Sequence, residues 1–223
     1  MLAVGVFAAG FVSLVGLRSP PTATSGNPQP LRMTLENRLL WRLCLGSALL
    51  VVTQVAVLSL AVLFLHDHRG LSARAAAGVL AIMQVIGGAL RILVGRWSDR
   101  LGRRSAPLVR LAAAVAVSLA ATAAVVDAPL LLLLPVFIAA GALSASWNGL
   151  AFTAAGELAG PAAAGAAIGL QQASLALAAA ITPVVLVAIV DTASWTAAFA
   201  AGCVAGVLAT GALVRLSASE RAA

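Results

Sequence analysis

The chain has 223 residues, of which 62% are hydrophobic and only 9% are charged, and its mean hydropathy is +1.06. Soluble domains carry roughly 25% charged residues, so this composition excludes a water-soluble fold. The net charge of +7 comes from 14 arginines, without any lysine, against seven acidic residues. The arginines lie mainly in links between apolar runs, which predicts orientation in a bilayer and disfavours nucleic-acid binding.

Seven apolar segments follow one another along the chain, and each is near the roughly 20 residues that an α-helix needs to cross a bilayer. Backbone groups in lipid must pair within their own segment, so these runs are predicted to be helices. Alternating strands of about ten residues, typical of a membrane barrel, are not found. The predicted fold class is an all-α membrane protein, with segments at residues 2–17, 39–65, 73–95, 107–126, 129–152, 163–190 and 195–215.

A long link separates the first segment from the other six. Residues 18–38 are rich in proline and small polar residues, and such a composition favours an extended, unpacked chain. The other links are short, so consecutive helices are expected to pack as antiparallel neighbours. The predicted organisation is a partial transmembrane helix at 1–17, a Pro-rich loop at 18–38, a six-helix bundle at 39–215 and a tail at 216–223.

Arginine is concentrated on one predicted side of the membrane. Eleven of the 14 arginines flank the long link, the link after the third segment or the carboxyl terminus, and only Arg69 and Arg74 lie opposite. Since cytoplasmic helix ends carry an excess of positive charge, the long link and the carboxyl terminus are predicted to be cytoplasmic, in an inner (plasma) membrane. Seven spans then place the amino terminus outside, as if the chain began midway. A signal peptide is disfavoured because Arg18 follows the first segment instead of preceding it.

The link after the third segment carries the most specific pattern in the chain. It reads GRWSDRLGRR from Gly95 to Arg104 and resembles the G-x3-D-R-x-G-R-R signature of the major facilitator superfamily. Glycine allows a tight turn, an acid can face the positive end of a neighbouring helix, and arginines favour the anionic inner leaflet. An ordinary basic link is the alternative interpretation. The matching positions are Gly95, Asp99, Arg100, Gly102, Arg103 and Arg104.

In that family the signature lies between the second and third helices and recurs between the eighth and ninth. The resemblance therefore implies the carboxyl-terminal half of a transporter, with residues 1–17 as the end of helix six and residues 18–38 as the central loop. It implies transport of a small solute by alternating access, with an amino-terminal half that is missing or separate. Two other hypotheses stay open, namely a truncated product that transports nothing and a membrane protein that serves as an assembly platform.

Side-chain amides test this alignment, because the family lines its cavity with helices seven, eight, ten and eleven. All five amides within the last six segments fall in those four helices. Polar groups cost free energy in lipid, so they are predicted to contact solute, with interhelical hydrogen bonds as the alternative. Arg91, the charge inside a segment, is a further candidate, with a predicted role in anion binding or gating and with snorkelling of its guanidinium to the interface as the alternative. The candidates are Gln54, Gln84, Arg91, Asn148, Gln171 and Gln172.

The sequence shows no pattern of catalytic residues. His66, Asp67 and His68 are adjacent in a link, where they cannot easily surround an ion, so no metal site is predicted. Neither a P-loop, a zinc-protease helix nor a serine elbow is found, and Asp and Glu are absent from the apolar segments. The prediction is a protein without enzymatic activity or cofactor, whose partners are a small solute and the lipid bilayer.

Overall fold

The computed structural model describes residues 29–222, so the partial helix predicted at 1–17 and the first part of the link lie outside the described residues. Within this range the regular structure is helical, and six helices are long and apolar enough to cross a membrane. This confirms the predicted fold class. The helices are α1 Gln29–Glu36, α2 Arg38–His68, α3 Ala73–Leu101, α4 Ser105–Ala124, α5 Leu130–Ala159, α6 Ala164–Thr192 and α7 Trp195–Ala222.

The predictions for the link and for the tail, on either side of the bundle, differ from the structure. The prediction that the whole link 18–38 stays extended is wrong for α1, where Arg32 Nε donates to Glu36 Oε1 at 2.9 Å across one helical turn. Such a pair at spacing i, i+4 supports a helix. At the other end, α7 continues as a helix through most of the predicted tail at 216–223. The tail contains charged residues, but a helix that extends beyond the bilayer into water need not be apolar.

Local sequence explains where the spans begin and end. Asn37 caps α2, since its Oδ1 accepts from two backbone N–H groups of the first turn at 3.0 and 3.2 Å. Ser72 caps α3 in the same way. Gly102 ends α3 with φ +62°, a left-handed conformation that glycine adopts without strain. The first seven residues of the signature therefore belong to α3, and its second glycine makes the end of the helix possible.

Two spans are irregular within the membrane. α2 contains two π-helical turns, Val55–Ser59 and Phe64–His68, and α5 is broken into Leu130–Ser144 and Asn148–Ala159. Irregular backbone at membrane depth is tolerated where protein covers it or where it lines a cavity. The first π turn and the second piece of α5 both contribute to one cavity, which is described below.

Four spans form the packed centre of the bundle. α7 packs along α4 and α2, and α5 packs along α3 and α4. The approach of α7 to α4 is close, because a Cβ added at Gly206 would lie only 2.9 Å from Ala116 Cβ. At the end opposite the signature link, the Phe64 ring centroid lies 5.1 to 5.2 Å from the centroids of Phe137, Trp195 and Phe199. This aromatic cluster joins α2, α5 and α7.

Candidate solute-binding site

Four of the five predicted amides line one cavity of about 470 Å³, hereafter the amide cavity. They come from four different spans: Gln54 from α2, Gln84 from α3, Asn148 from α5 and Gln172 from α6. Asn148 Nδ2 donates to Gln54 Oε1 at 3.4 Å. The rest of the lining is mainly apolar and includes Leu58, Leu80, Phe152 and Leu175. The cavity therefore offers amide donors and acceptors within an apolar wall.

The irregular backbone of α2 and α5 positions two of these amides. Gln54 is the last residue of the regular part of α2, directly before the π turn. Asn148 is the first residue of α5 after its break. Gln84 and Gln172 instead lie on exposed faces of regular helices. Gln54 and Asn148 thus form a side of the cavity within the bundle. Gln84 and Gln172 form a side that the bundle does not cover.

Gln171 does not line the amide cavity, although it adjoins Gln172 in the sequence. Its side chain is fully buried, and Nε2 donates to Ser47 Oγ of α2 at 3.2 Å. Consecutive helical residues point about 100° apart, so the two glutamines face different surroundings. The interhelical hydrogen bond that was the alternative interpretation is what the structure shows for Gln171.

Arg91 lies beside the break in α5 and does not line the amide cavity. Its Nη2 donates to the carbonyl oxygen of Ala145 at 2.6 Å. Ala145 belongs to the three residues between the two pieces of α5, where carbonyls lose their helical partners. The guanidinium therefore satisfies a carbonyl of the break and ties α3 to α5. A role for Arg91 in binding an anion stays a prediction.

The signature link is organised around Arg104, which contacts three side chains. Its Nε donates to Glu157 Oε1 and Oε2 at 3.0 and 3.1 Å, and its Nη1 donates to Ser98 Oγ at 3.2 Å and to Asp99. The hydrogen bonds to Glu157 and to Asp99, with that to Glu157 the stronger contribution, raise the pKa of the Arg104 guanidinium above its ordinary value. The arginine joins the end of α3, the start of α4 and the end of α5.

The other signature residues have simpler surroundings. Arg100 and Arg103 are exposed, and the Arg103 carbonyl accepts from Ser98 Oγ at 3.0 Å. Gly95 lies inside α3, about two turns before its end, and a Cβ there would meet no atom within 4 Å. Of the two signature glycines, only Gly102 makes the turn. Asp99 reaches the start of α4 through Arg104, the residue directly before that helix.

Sequence reasoning missed two features of the site. The break in α5 falls on Ala145, Ser146 and Trp147, followed by Asn148 and Gly149. Ser, Asn and Gly disfavour helix interiors, so this cluster was a usable signal. Glu157 as the partner of Arg104 was not, because 53 positions separate the two residues and no short motif connects them.

Comparison with known proteins identifies the family of this chain. The profile of the Major Facilitator Superfamily matches residues 1–183. The chain belongs to this family. Two uncharacterized MFS-type transporters of Mycobacterium tuberculosis, from strains H37Rv and CDC 1551, are 33% identical to it over 195 residues. The match covers 86% of this chain and 44% of each relative, so the chain spans about half the length of the curated relatives it matches.

Membership in the superfamily confirms several predictions at family level. The resemblance drawn from the signature was correct, and the chain is a multi-pass membrane protein of a transporter family rather than of an enzyme family. The solute, the membrane, the orientation and the roles of the individual residues stay predictions.

Proposed function

We propose that this chain forms the carboxyl-terminal bundle of an MFS-type transporter and binds a small solute in the amide cavity. The observation that carries the proposal is the convergence of Gln54, Gln84, Asn148 and Gln172 on one cavity. The four spans that supply them are those that the family resemblance assigns to the transport path. The residues that line the cavity carry no charge, which favours a solute recognised by hydrogen bonds and apolar contact.

A second bundle is needed to complete the site. Gln84 and Gln172 are exposed on α3 and α6, and an amide facing hydrocarbon costs free energy unless a partner or water satisfies it. In both spans only 17% of the residues in the most apolar stretch are buried. An amino-terminal bundle packed on these faces would enclose the cavity, and rocking of the two bundles would open it alternately to each side.

The proposed orientation places the signature link, the start of α2 and the carboxyl terminus in the cytoplasm of a cell with a plasma (inner) membrane. Its support is the arginine distribution, because eleven of the 14 arginines fall on that side. A fluorescent protein fused after Ala223 is expected to fold and fluoresce, whereas alkaline phosphatase fused there is expected to be inactive. The reverse pattern would overturn the orientation.

The decisive experiment begins with the DNA upstream of Met1. We expect an in-frame region that encodes five further helices and the start of the sixth, or a neighbouring gene that encodes the amino-terminal half. The longest resulting frame, or the two proteins together, is then expressed in cells, and uptake and efflux of a panel of labelled small metabolites and drugs are compared with empty-vector cells. Transport of at least one solute above the vector background is expected.

Two neighbouring glutamines provide a matched pair of variants for this assay. Gln172→Leu removes an amide from the cavity and is expected to lower transport at least tenfold. Gln171→Leu removes an amide one residue away that faces Ser47, and is expected to retain transport. Equal losses in both variants would contradict the cavity. Absence of an upstream region together with absence of transport would favour the truncated product, and a stable complex with another membrane protein would favour the assembly platform.

A further inference from the structure

A second cavity lies on the outer surface of the bundle, between the first turns of α2 and the last turns of α7. It measures about 640 Å³, and its lining includes Arg42, Leu45 and Leu49 from α2 and Leu208, Gly211 and Arg215 from α7. We refer to it as the α2–α7 groove. The groove shares no residue with the amide cavity, and solute transport gives it no role.

The two helices present the same order of side chains along the groove. In α2, Arg42 is followed by Leu45 and Leu49, and in α7, Arg215 is preceded by Gly211 and Leu208. Residues three, four and seven apart share one helix face, and seven residues correspond to about 10 Å along the axis. Each helix thus places one guanidinium at the end of the groove and apolar side chains about 10 Å further along it.

The charged end of the groove lies at the membrane surface. Trp41, next to Arg42, is 45% exposed, and its indole Nε1 donates to the carbonyl oxygen of Leu35 at 2.9 Å. Tryptophan with an exposed ring and a satisfied N–H is typical of the level of the lipid headgroups. Further along the groove, Leu45 and Leu208 remain more than half exposed. The groove therefore passes from headgroup level into hydrocarbon.

We propose that the α2–α7 groove binds one anionic diacyl phospholipid, such as phosphatidylglycerol. The phosphate would lie between Arg42 and Arg215, and an acyl chain would cover Leu45, Leu49 and Leu208. Basic pockets between membrane helices bind anionic headgroups, and among the side chains that the structure describes, the lining of this groove contains two arginines and no acid. Both arginines take part in a further interaction within the structure, but a guanidinium has five N–H donors and a planar fork suited to phosphate.

A lipid occupant accounts for the groove better than a soluble anion does. A free phosphate would use only the arginine end and would leave the apolar length unexplained. A zwitterionic lipid such as phosphatidylcholine would bring a trimethylammonium group near two guanidinium groups, which repel it. The leaflet in which the lipid lies depends on the proposed orientation, but its binding does not depend on transport activity.

The test is native mass spectrometry of the full chain in detergent, titrated separately with phosphatidylglycerol and with phosphatidylcholine. One tightly retained phosphatidylglycerol is expected, with at least tenfold preference over phosphatidylcholine. Each arginine near an anionic surface contributes about a fivefold effect, so the double variant Arg42→Gln/Arg215→Gln is expected to weaken phosphatidylglycerol binding about twentyfold. Arg74→Gln changes one charge at the other end of the bundle and is expected to have no effect.

A second variant tests the groove without altering charge. A Cβ at Gly211 would meet no atom within 4 Å, so Gly211→Leu is expected to fold and to block the acyl chain, with at least tenfold weaker binding. Gly78→Leu, at an equally open glycine of α3, is the matched control. Equal binding of both lipids, unchanged binding by either groove variant, or displacement of the lipid by glycerol 3-phosphate would overturn the proposal.

Discussion

The spans of this bundle fall into two groups that differ in how much of their surface the chain itself covers. In α2, α4, α5 and α7, 39–61% of the residues in the most apolar stretch are buried, whereas the share in α3 and α6 is 17%. Each of α3 and α6 contacts the bundle mainly through one narrow strip. The strips are Ala76, Val79, Met83 and Gly87 in α3, and Ala167, Gln171, Leu175, Thr182 and Leu186 in α6.

The difference separates surfaces that the bundle itself covers from surfaces that it leaves open. Two glycines of the covered group lie at tight contacts, because a Cβ added at Gly46 or Gly206 would lie 2.8 or 2.9 Å from the neighbouring helix. Glycines on the open faces, such as Gly165 and Gly169 of α6, have no atom that close. We infer that α2, α4, α5 and α7 hold the bundle together, while α3 and α6 present the cavity amides outward.

The largest difference in the free energy of unfolding is expected between two leucines that both lie within long helices. Leu213 of α7 is fully buried against Gly46, and Leu177 of α6 is 64% exposed. Leu213→Ala is expected to lower the free energy of unfolding by about 3 kcal/mol, because it leaves a cavity. Leu177→Ala is expected to change it by less than about 0.5 kcal/mol. Unfolding by SDS in mixed micelles measures the free energy of both variants. Equal losses of stability would show that Leu177 of α6 is covered to the same extent as Leu213 of α7.

The adjacent glutamines of α6 give the next contrast. A carboxyl group at a fully buried position within the membrane costs about 2.5 kcal/mol, so Gln171→Glu is expected to lower the free energy of unfolding by about that amount. Gln172→Glu places the same group on an exposed face beside the amide cavity, where we expect water to solvate it, and is expected to cost less than about 0.5 kcal/mol. The same SDS titration compares them. A larger loss for Gln172→Glu would reverse the assigned orientation of α6.

This pair also marks how far the amide prediction reached. Segment hydropathy and the family resemblance pointed to the four spans whose amides line the cavity, because amides within apolar segments are recognisable from the sequence alone. They did not separate Gln171 from Gln172, because the orientation of a helix about its own axis depends on which neighbour packs against it. Gly165 and Gly169 show the same effect, because their spacing of four residues would allow a helix to approach closely, but a Cβ at either position would meet no atom within 4 Å.

Most of the fold followed from the apolar runs, and the differences occur where charge or local propensity overrides them. The segment predicted at 73–95 continues as α3 to Leu101, since the arginines of the signature lie at the water surface where a helix can persist. The segment predicted at 129–152 is broken at Ala145. The mean hydropathy of a segment does not detect such a break, because Ala, Ser and Trp are all compatible with a membrane span but differ in helix propensity.

Two glycines are expected to respond with opposite signs to the same substitution. Gly206→Ala adds a Cβ 2.9 Å from Ala116 Cβ and 3.1 Å from its Cα, so it is expected to lower the free energy of unfolding by about 2 kcal/mol through overpacking. Gly169→Ala adds a Cβ into open space and is expected to raise it by about 0.5 kcal/mol through helix propensity. Thermal melting in detergent gives the signs. A loss at Gly169 would indicate that another protein surface already covers α6.

The smallest difference in the free energy of unfolding is expected for the ion pairs that connect α3, of which little is buried, to the rest of the bundle. Arg104 is 22% exposed and joins Asp99 of α3 to Glu157 of α5, and both carboxylates are more than half exposed, so Arg104→Gln is expected to cost only about 1 kcal/mol. The raised pKa of Arg104 stabilises the fold at every pH below its unfolded value, so the loss is expected to be constant between pH 6 and pH 9. Salt at 1 M is expected to shrink it.

Arg32→Gln is the matched control, since it removes an equally short arginine–carboxylate pair within α1. Arg32 Nε lies 2.9 Å from Glu36 Oε1, but the two side chains are 81% and 64% exposed and belong to one helix. Its loss is expected to stay below about 0.5 kcal/mol. The larger loss of stability expected for Arg104→Gln reflects that Arg104 joins separate spans. These contacts matter for α3 because its buried strip is narrow. Equal effects of the two variants would mean that the strip alone holds α3 in place.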